Sequence, residues 1–281
     1  MQVERQSLPN TDRLSVVAAS ILLAYSLLPF VTLPGQTLNL SFLGVRFSFG
    51  ANFSTVIALL SGAMAAAGTS WLLRAHPRLA ATGAAGAGAG RGMIQHVLLP
   101  ALTAWVLVVP LNSLKVGAAW WAVFGFGGLL LVLVLAAEYI AVDPADTRYG
   151  LAMVGLTAVA YALFLILTIA LAARGTRLYI LLPGLGGGLF LMALRTLHLR
   201  LSGRWCTAWA LAIALAVVQA AAALHYWPLS PLRFGLVILG LAYALTSLAG
   251  AIEEGRSWRT LWIEPVSMLA VLWGLAAGVR G

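Results

Sequence analysis

Residues 117–140 read GAAWWAVFGFGGLLLVLVLAAEYI, with Glu138 the sole charged side chain. A helix rises 1.5 Å per residue, so about 20 apolar residues cross a hydrocarbon core of ~30 Å. This run meets that test and reads as a membrane span. Working outward, segments 14–33, 53–73, 94–112, 150–172, 178–196, 205–224, 234–252 and 260–279 meet it too. Nothing between them is long enough to fold as a second domain. The expectation is an all-α integral membrane protein with nine transmembrane helices in one polytopic domain over 1–281.

Composition agrees. Of 281 residues, 62% are hydrophobic and 9% are charged, and the mean hydropathy is +0.96. A soluble domain carries roughly 25% charged residues, so this chain has too few to face water all round. That excludes a cytoplasmic enzyme, a nucleic-acid-binding domain and a secreted module. The 17 Lys and Arg exceed the 8 Asp and Glu. They sit in short segments between apolar runs, where basic residues set topology and meet anionic lipid. No basic patch is interleaved with aromatics as nucleic-acid binding requires. The expected partners are membrane lipids, with anionic headgroups at the Arg-rich loops, and no nucleic acid.

With the N-terminus inside, 11 basic residues fall on the cytoplasmic side and 6 on the other. The positive-inside rule therefore favours N-in and C-out, in the plasma membrane of a prokaryote. The run 14–33 exceeds a signal-peptide core of 7–15 residues, and no small-x-small site follows it before Pro34; it reads as a retained span. Cys206 is the lone cysteine, and His76, His96, His198 and His225 include no i, i+4 pair. Neither a disulfide, a metal site nor a cofactor is expected.

Two connections stand out. Leu38-Asn39-Leu40-Ser41-Phe42 and Val45-Arg46-Phe47-Ser48-Phe49 alternate on either side of Leu43-Gly44, which reads as a small interfacial β-hairpin between helices 1 and 2. Residues 79–92 contain Gly86-Ala87-Gly88-Ala89-Gly90. A dinucleotide fingerprint needs a preceding strand and a βαβ context, so this reads as a flexible Gly/Ala linker.

The chain also resembles itself. Arg148-Tyr149-Gly150-Leu151 with Gly155-Leu156 matches Arg233-Phe234-Gly235-Leu236 with Gly240-Leu241 at an offset of 85. Arg174 and Arg177 match Arg256 and Arg259 at an offset of 82. This suggests three three-helix units, 14–112, 117–196 and 205–279. An odd number of spans per unit inverts each copy relative to the last, a device of transporters. Chance similarity in a Leu/Ala-rich alphabet is the competing explanation.

Ionisable groups in lipid cost on the order of 2.5–3.5 kcal/mol at mid-helix, so they mark candidate sites. Glu138, Arg195, His198 and Glu264 each lie about one helical turn from a loop, in one predicted cytoplasmic layer. The functional reading is a polar pocket in which Glu138 and Glu264 face Arg195, with His198 on the same face. The plainer one is interfacial snorkelling with a structural Glu–Arg bridge. The patch Pro183-Gly184-Leu185-Gly186-Gly187-Gly188 suits close helix approach or a broken helix. Trp120, Trp121, Trp205, Trp227, Trp258 and Trp262 fall near span ends, as interfacial belts do.

Enzyme patterns are not met. Glu253-Glu254 invites comparison with membrane-embedded CAAX-type proteases, but the position four residues on is Trp258 rather than Arg. Ser61-Gly62 lacks the glycine of a rhomboid-type site two residues upstream, where Leu59 stands. No catalytic residues are assigned. The expected function is a carrier-like or lipid-handling protein with an inverted-repeat helical core; the alternative is a non-catalytic scaffold or subunit of a membrane complex.

Overall fold

The computed structural model describes residues 9–31, 36–42, 45–78, 90–201 and 203–279; for 36–42, 45–51 and 90–92 it describes the backbone alone. The chain divides into two compact units, Met1–Ala152 and Met153–Gly281.

In the first unit, α1 (Thr11–Ser26) begins at Asn10, whose side chain accepts hydrogen bonds from the backbone N–H groups of Asp12 and Arg13. Two orphan donors of the first turn are thereby satisfied. The helix stops at Ser26, earlier than the apolar run suggested. Pro29 follows, and proline supplies no amide hydrogen and disfavours helical geometry in the residue before it. Residues 27–30 form turns instead. At 16 residues, or about 24 Å by helical rise, α1 falls short of a full crossing.

Strands β1 (Gln36–Phe42) and β2 (Val45–Ala51) pair antiparallel in a register that opposes Leu38 to Phe49, Leu40 to Phe47 and Phe42 to Val45. Leu43 and Gly44 lie outside the described residues. Next come α2 (Phe53–Leu73), α3 (Gly90–Ser113) and α4 (Ala118–Ile140). Most of the expected linker, residues 79–89, lies outside the described residues, whereas residues 90–92 already belong to α3.

The core of this unit is shared by α1 to α4, around Ile21, Tyr25, Ala65, Leu72, Leu131 and Leu135. Tyr25 donates its hydroxyl to the Ala104 carbonyl at 2.6 Å, and Ser61 donates to the same oxygen at 3.2 Å. The Arg13 guanidinium reaches the Trp71 carbonyl at 3.1 Å and lies 4.9 Å from the centre of its ring. Trp120 departs from the belt expectation. It is 2% exposed, stacks on Phe124 and donates its indole N–H to the Leu111 carbonyl.

Helix α5 (Tyr149–Ala173) leads into the second unit, which continues with α6 (Leu178–Arg200), α7 (Thr207–His225), α8 (Pro231–Glu253), α9 (Trp258–Leu261) and α10 (Ile263–Gly278). The last apolar run is interrupted at Trp262 because Pro265 has no N–H to offer the Leu261 carbonyl. Helix α6 packs on α7 and α8, and α8 packs on α10. The glycine-rich patch of α6 serves close approach: a Cβ on Gly188 would stand 2.6 Å from Leu167 Cδ2.

The turns after α5 and α8 share one design. Each helix is followed by one capping residue and then a glycine with positive φ, Gly175 at 58° and Gly255 at 67°. The next helix follows from an extended residue, Arg177 or Ser257. A left-handed residue just past a helix end favours glycine because it has no Cβ. These turns correspond at an offset of 80. The sequence matches at 85 and 82 therefore do not occupy equivalent positions: Arg148 precedes α5, whereas Arg233 lies inside the first turn of α8.

Candidate functional site

Among the described residues, eight helices are long and apolar enough to cross a membrane: all those above except α1, with α9 and α10 together making one. They turn bulky apolar side chains outward. Phe126 is 75%, Leu151 77% and Val154 69% exposed, a surface suited to lipid and costly in water.

In the second unit a cavity of 470 Å³ opens between α5, α6, α8 and the start of α10, within the roughly 300–1,000 Å³ usual for ligand sites. Its polar lining follows helical spacing: Thr157 and Tyr161 on α5, Thr196 and Arg200 on α6, Tyr243, Thr246 and Ser247 on α8. Side chains four apart on a helix share a face. Thr157, Thr196 and Thr246 donate their hydroxyl protons to carbonyls of their own helices. Buried donors are thus satisfied, and oxygen lone pairs are left to the cavity. The Tyr161 and Tyr243 rings lie 5.0 Å apart. Met153, Val154 and Ala158 form an apolar wall, with Val154 and Ala158 exposed on the lipid-facing side of α5.

Charge gathers at one end. Arg200 donates to both carboxylate oxygens of Glu254, through Nε and, at 3.2 Å, through Nη2. Its Nη1 reaches the Ser247 carbonyl at 3.3 Å. Arg256 Nε lies 2.7 Å from the second Glu254 oxygen. Glu264 is held more loosely: Oε2 stands 3.4 Å from Arg256 Nη1 and 3.9 Å from Arg200 Nη2, while Oε1 accepts from the Tyr243 hydroxyl at 3.1 Å. The Arg200 hydrogen bond holds the Glu254 carboxyl below its ordinary value. Beside this network, Trp209 donates to Glu253 at 2.8 Å, and Arg204 approaches the same carboxylate at 3.2 Å.

The four residues singled out from sequence fall as follows. Glu264 lines the cavity. Arg195 and His198 are buried in α6, 2% and 5% exposed, and the His198 ring lies 4.3 Å from that of Trp205. The cavity-lining residues of α6 are Thr196, Leu197, Leu199 and Arg200. Glu138 is fully buried in the first unit, with Oε2 2.9 Å from His96 Nδ1, and His96 Nε2 meets the Gln95 amide at 2.9 Å. The pairing of His96 with Glu138 was missed because it joins residues 42 apart on different helices. Arg200 was missed because span 6 was ended four residues early, which left its guanidinium among the loop charges. The hydroxyl side chains at i, i+4 on otherwise apolar spans are the signal that marks this cavity.

Long apolar helices, lipid-facing side chains and a polar cavity at one helix end fit one class, the polytopic helical membrane proteins. Residues 33–279 match a family described as Protein of unknown function (DUF5656), and the chain belongs to that family. No curated protein and no solved structure matches the chain.

Proposed function

We propose that the protein is a carrier-like, lipid-handling membrane protein whose binding site is the cavity of the second unit. One observation carries the reading: a 470 Å³ space joins an apolar, lipid-side wall at Ala158 to two guanidiniums at its polar end. An amphipathic molecule matches both ends. Glu264 stays in the proposed site from the sequence reading, joined by Arg200 and Arg256.

Three finer elements belong to the same proposal. The protein sits in the plasma membrane of a prokaryote with its N-terminus cytoplasmic; the 11-to-6 split of basic residues supports this with α1 and the turns at 27–30 counted together as the first crossing. Its core descends from an inverted three-helix module, supported by the common turn at Gly175 and Gly255. The strands Gln36–Phe42 and Val45–Ala51 cap the helix ends at the interface, supported by their alternating sequence.

Lipid retention tests the reading. After purification in mild detergent, mass spectrometry of the extract should find bound lipid with the wild type and strongly reduced lipid with Ala158→Trp, which fills the cavity from its wall. Equal retention by a well-folded variant would contradict it.

A further inference from the structure

The two glutamates of the cavity are not equivalent, and the difference points to the ligand. Glu254 spends both oxygens on Arg200 and one of them also on Arg256, so it fixes the two guanidiniums side by side. Glu264 faces the same pair at 3.4 and 3.9 Å, long for charge-assisted contacts that normally close to about 2.7–2.9 Å. Its side chain is 40% exposed, against 26% for Glu254. A carboxylate has two oxygens, and Glu264 commits one to Tyr243. The remaining oxygen stands between two cations and fits neither well. A terminal phosphate offers three acceptor oxygens and can meet Arg200 and Arg256 together.

On the lipid-handling reading above, we infer that the cavity takes a phosphomonoester headgroup, and that Glu264 is a placeholder anion displaced when the headgroup arrives. Ligand and Glu264 compete for Arg200 and Arg256, while Glu254 keeps the guanidiniums in place. Tyr243 tethers the carboxylate in its resting place between the two guanidiniums and so sets how readily it leaves. The apolar wall at Met153, Val154 and Ala158 receives the chains next to the headgroup.

The test is binding of phosphatidic acid and of phosphatidylcholine to the full chain in nanodiscs, with elution from a sizing column as the folding check. Removing the competing charge in Glu264→Gln should tighten phosphatidic acid by about tenfold and leave phosphatidylcholine unchanged. Tyr243→Phe, which frees the tether, should act in the same direction with a smaller factor. Arg256→Gln should weaken phosphatidic acid by about tenfold or more. Glycerol 3-phosphate supplies the second arm: tight binding without a lipid tail supports the anion site and assigns its source to water. Unchanged phosphatidic acid affinity in both Glu264→Gln and Tyr243→Phe overturns the placeholder role. Equal wild-type affinity for the two lipids overturns the headgroup class and leaves the lipid-handling reading standing. Binding of neither lipid nor glycerol 3-phosphate, with Ala158→Trp indifferent, overturns both.

Discussion

The side chain of Arg200 passes close over the backbone of α8 at Gly250: a Cβ added there would stand 2.8 Å from both Cδ and Nε of Arg200. Its hydrogen bonds to Ser247 and Glu254 therefore depend on the missing side chain one turn along the helix. Arg200 is a flexible side chain and can retreat. Gly250→Ala should thus cost little stability, about 1 kcal/mol, but should pull Arg200 off its partners. The expected signature is a small fall in melting temperature with about a tenfold loss of bound phosphatidic acid, read by thermal unfolding and nanodisc binding on one preparation.

Gly188→Ala is the contrasting case. Its Cβ would meet Leu167 Cδ2 at 2.6 Å in a helix–helix contact. Overpacking of this kind costs about 1–3 kcal/mol. The melting temperature in detergent should fall more than for Gly250→Ala, by an amount that Leu167→Ala in the same chain partly restores.

His96 and Glu138 form a hydrogen bond inside the membrane part of the first unit, 8% and 0% exposed. Removing one member of a buried pair leaves the other with a contact missing, a loss of about 3 kcal/mol. His96→Ala should lower thermal stability by that order. His96→Gln, which keeps a polar partner, should lower it less.

Two groups outside the membrane spans predict acid sensitivity in separate windows. Burial pushes the His76 imidazole below its ordinary value, against the opposing pull of Asp143. The unfolded chain then takes up a proton at a higher pH than the folded one does. Stability is full above the ordinary imidazole pKa and declines as pH falls from there toward the lowered value. For Glu254, depressed chiefly by the Arg200 hydrogen bond, the same sign applies at lower pH: stability holds above the ordinary carboxylate range and is lost as pH drops below it. Melting temperatures across pH should show both declines. His76→Phe should flatten the upper one, and Glu254→Gln the lower.

Much of the fold is legible in the sequence because lipid imposes a simple rule. An apolar run long enough to cross becomes a helix, and the runs beginning at 53, 94, 117, 150, 178, 205 and 234 appear as helices within a few residues of their expected bounds. The misses have local causes. Pro29 shortens α1, Pro265 breaks the last run, and α6 extends to Arg200 because its final turn is polar yet still helical. That last error hid the site: a residue assigned to a loop serves topology, whereas the same residue in a helix faces a neighbour. Glu264 was legible as an ionisable group in an apolar run. Its partners were not, because Arg200 and Tyr243 stand on separate helices and Arg256 in the turn before α9, and only packing brings them together.

The central claim, that a lipid occupies the cavity of the second unit, is tested most directly by where a bound lipid touches the chain. A phosphatidic acid analogue carrying a photoreactive group on its acyl chain, next to the headgroup, can be crosslinked to the full-length protein in vesicles and mapped by mass spectrometry. The account predicts labels concentrated on Met153, Thr157 and Ala158 of α5, and their loss in Ala158→Trp. Labels confined to outward-facing positions such as Phe126, Leu129 and Leu133, with none on the cavity wall, would contradict it.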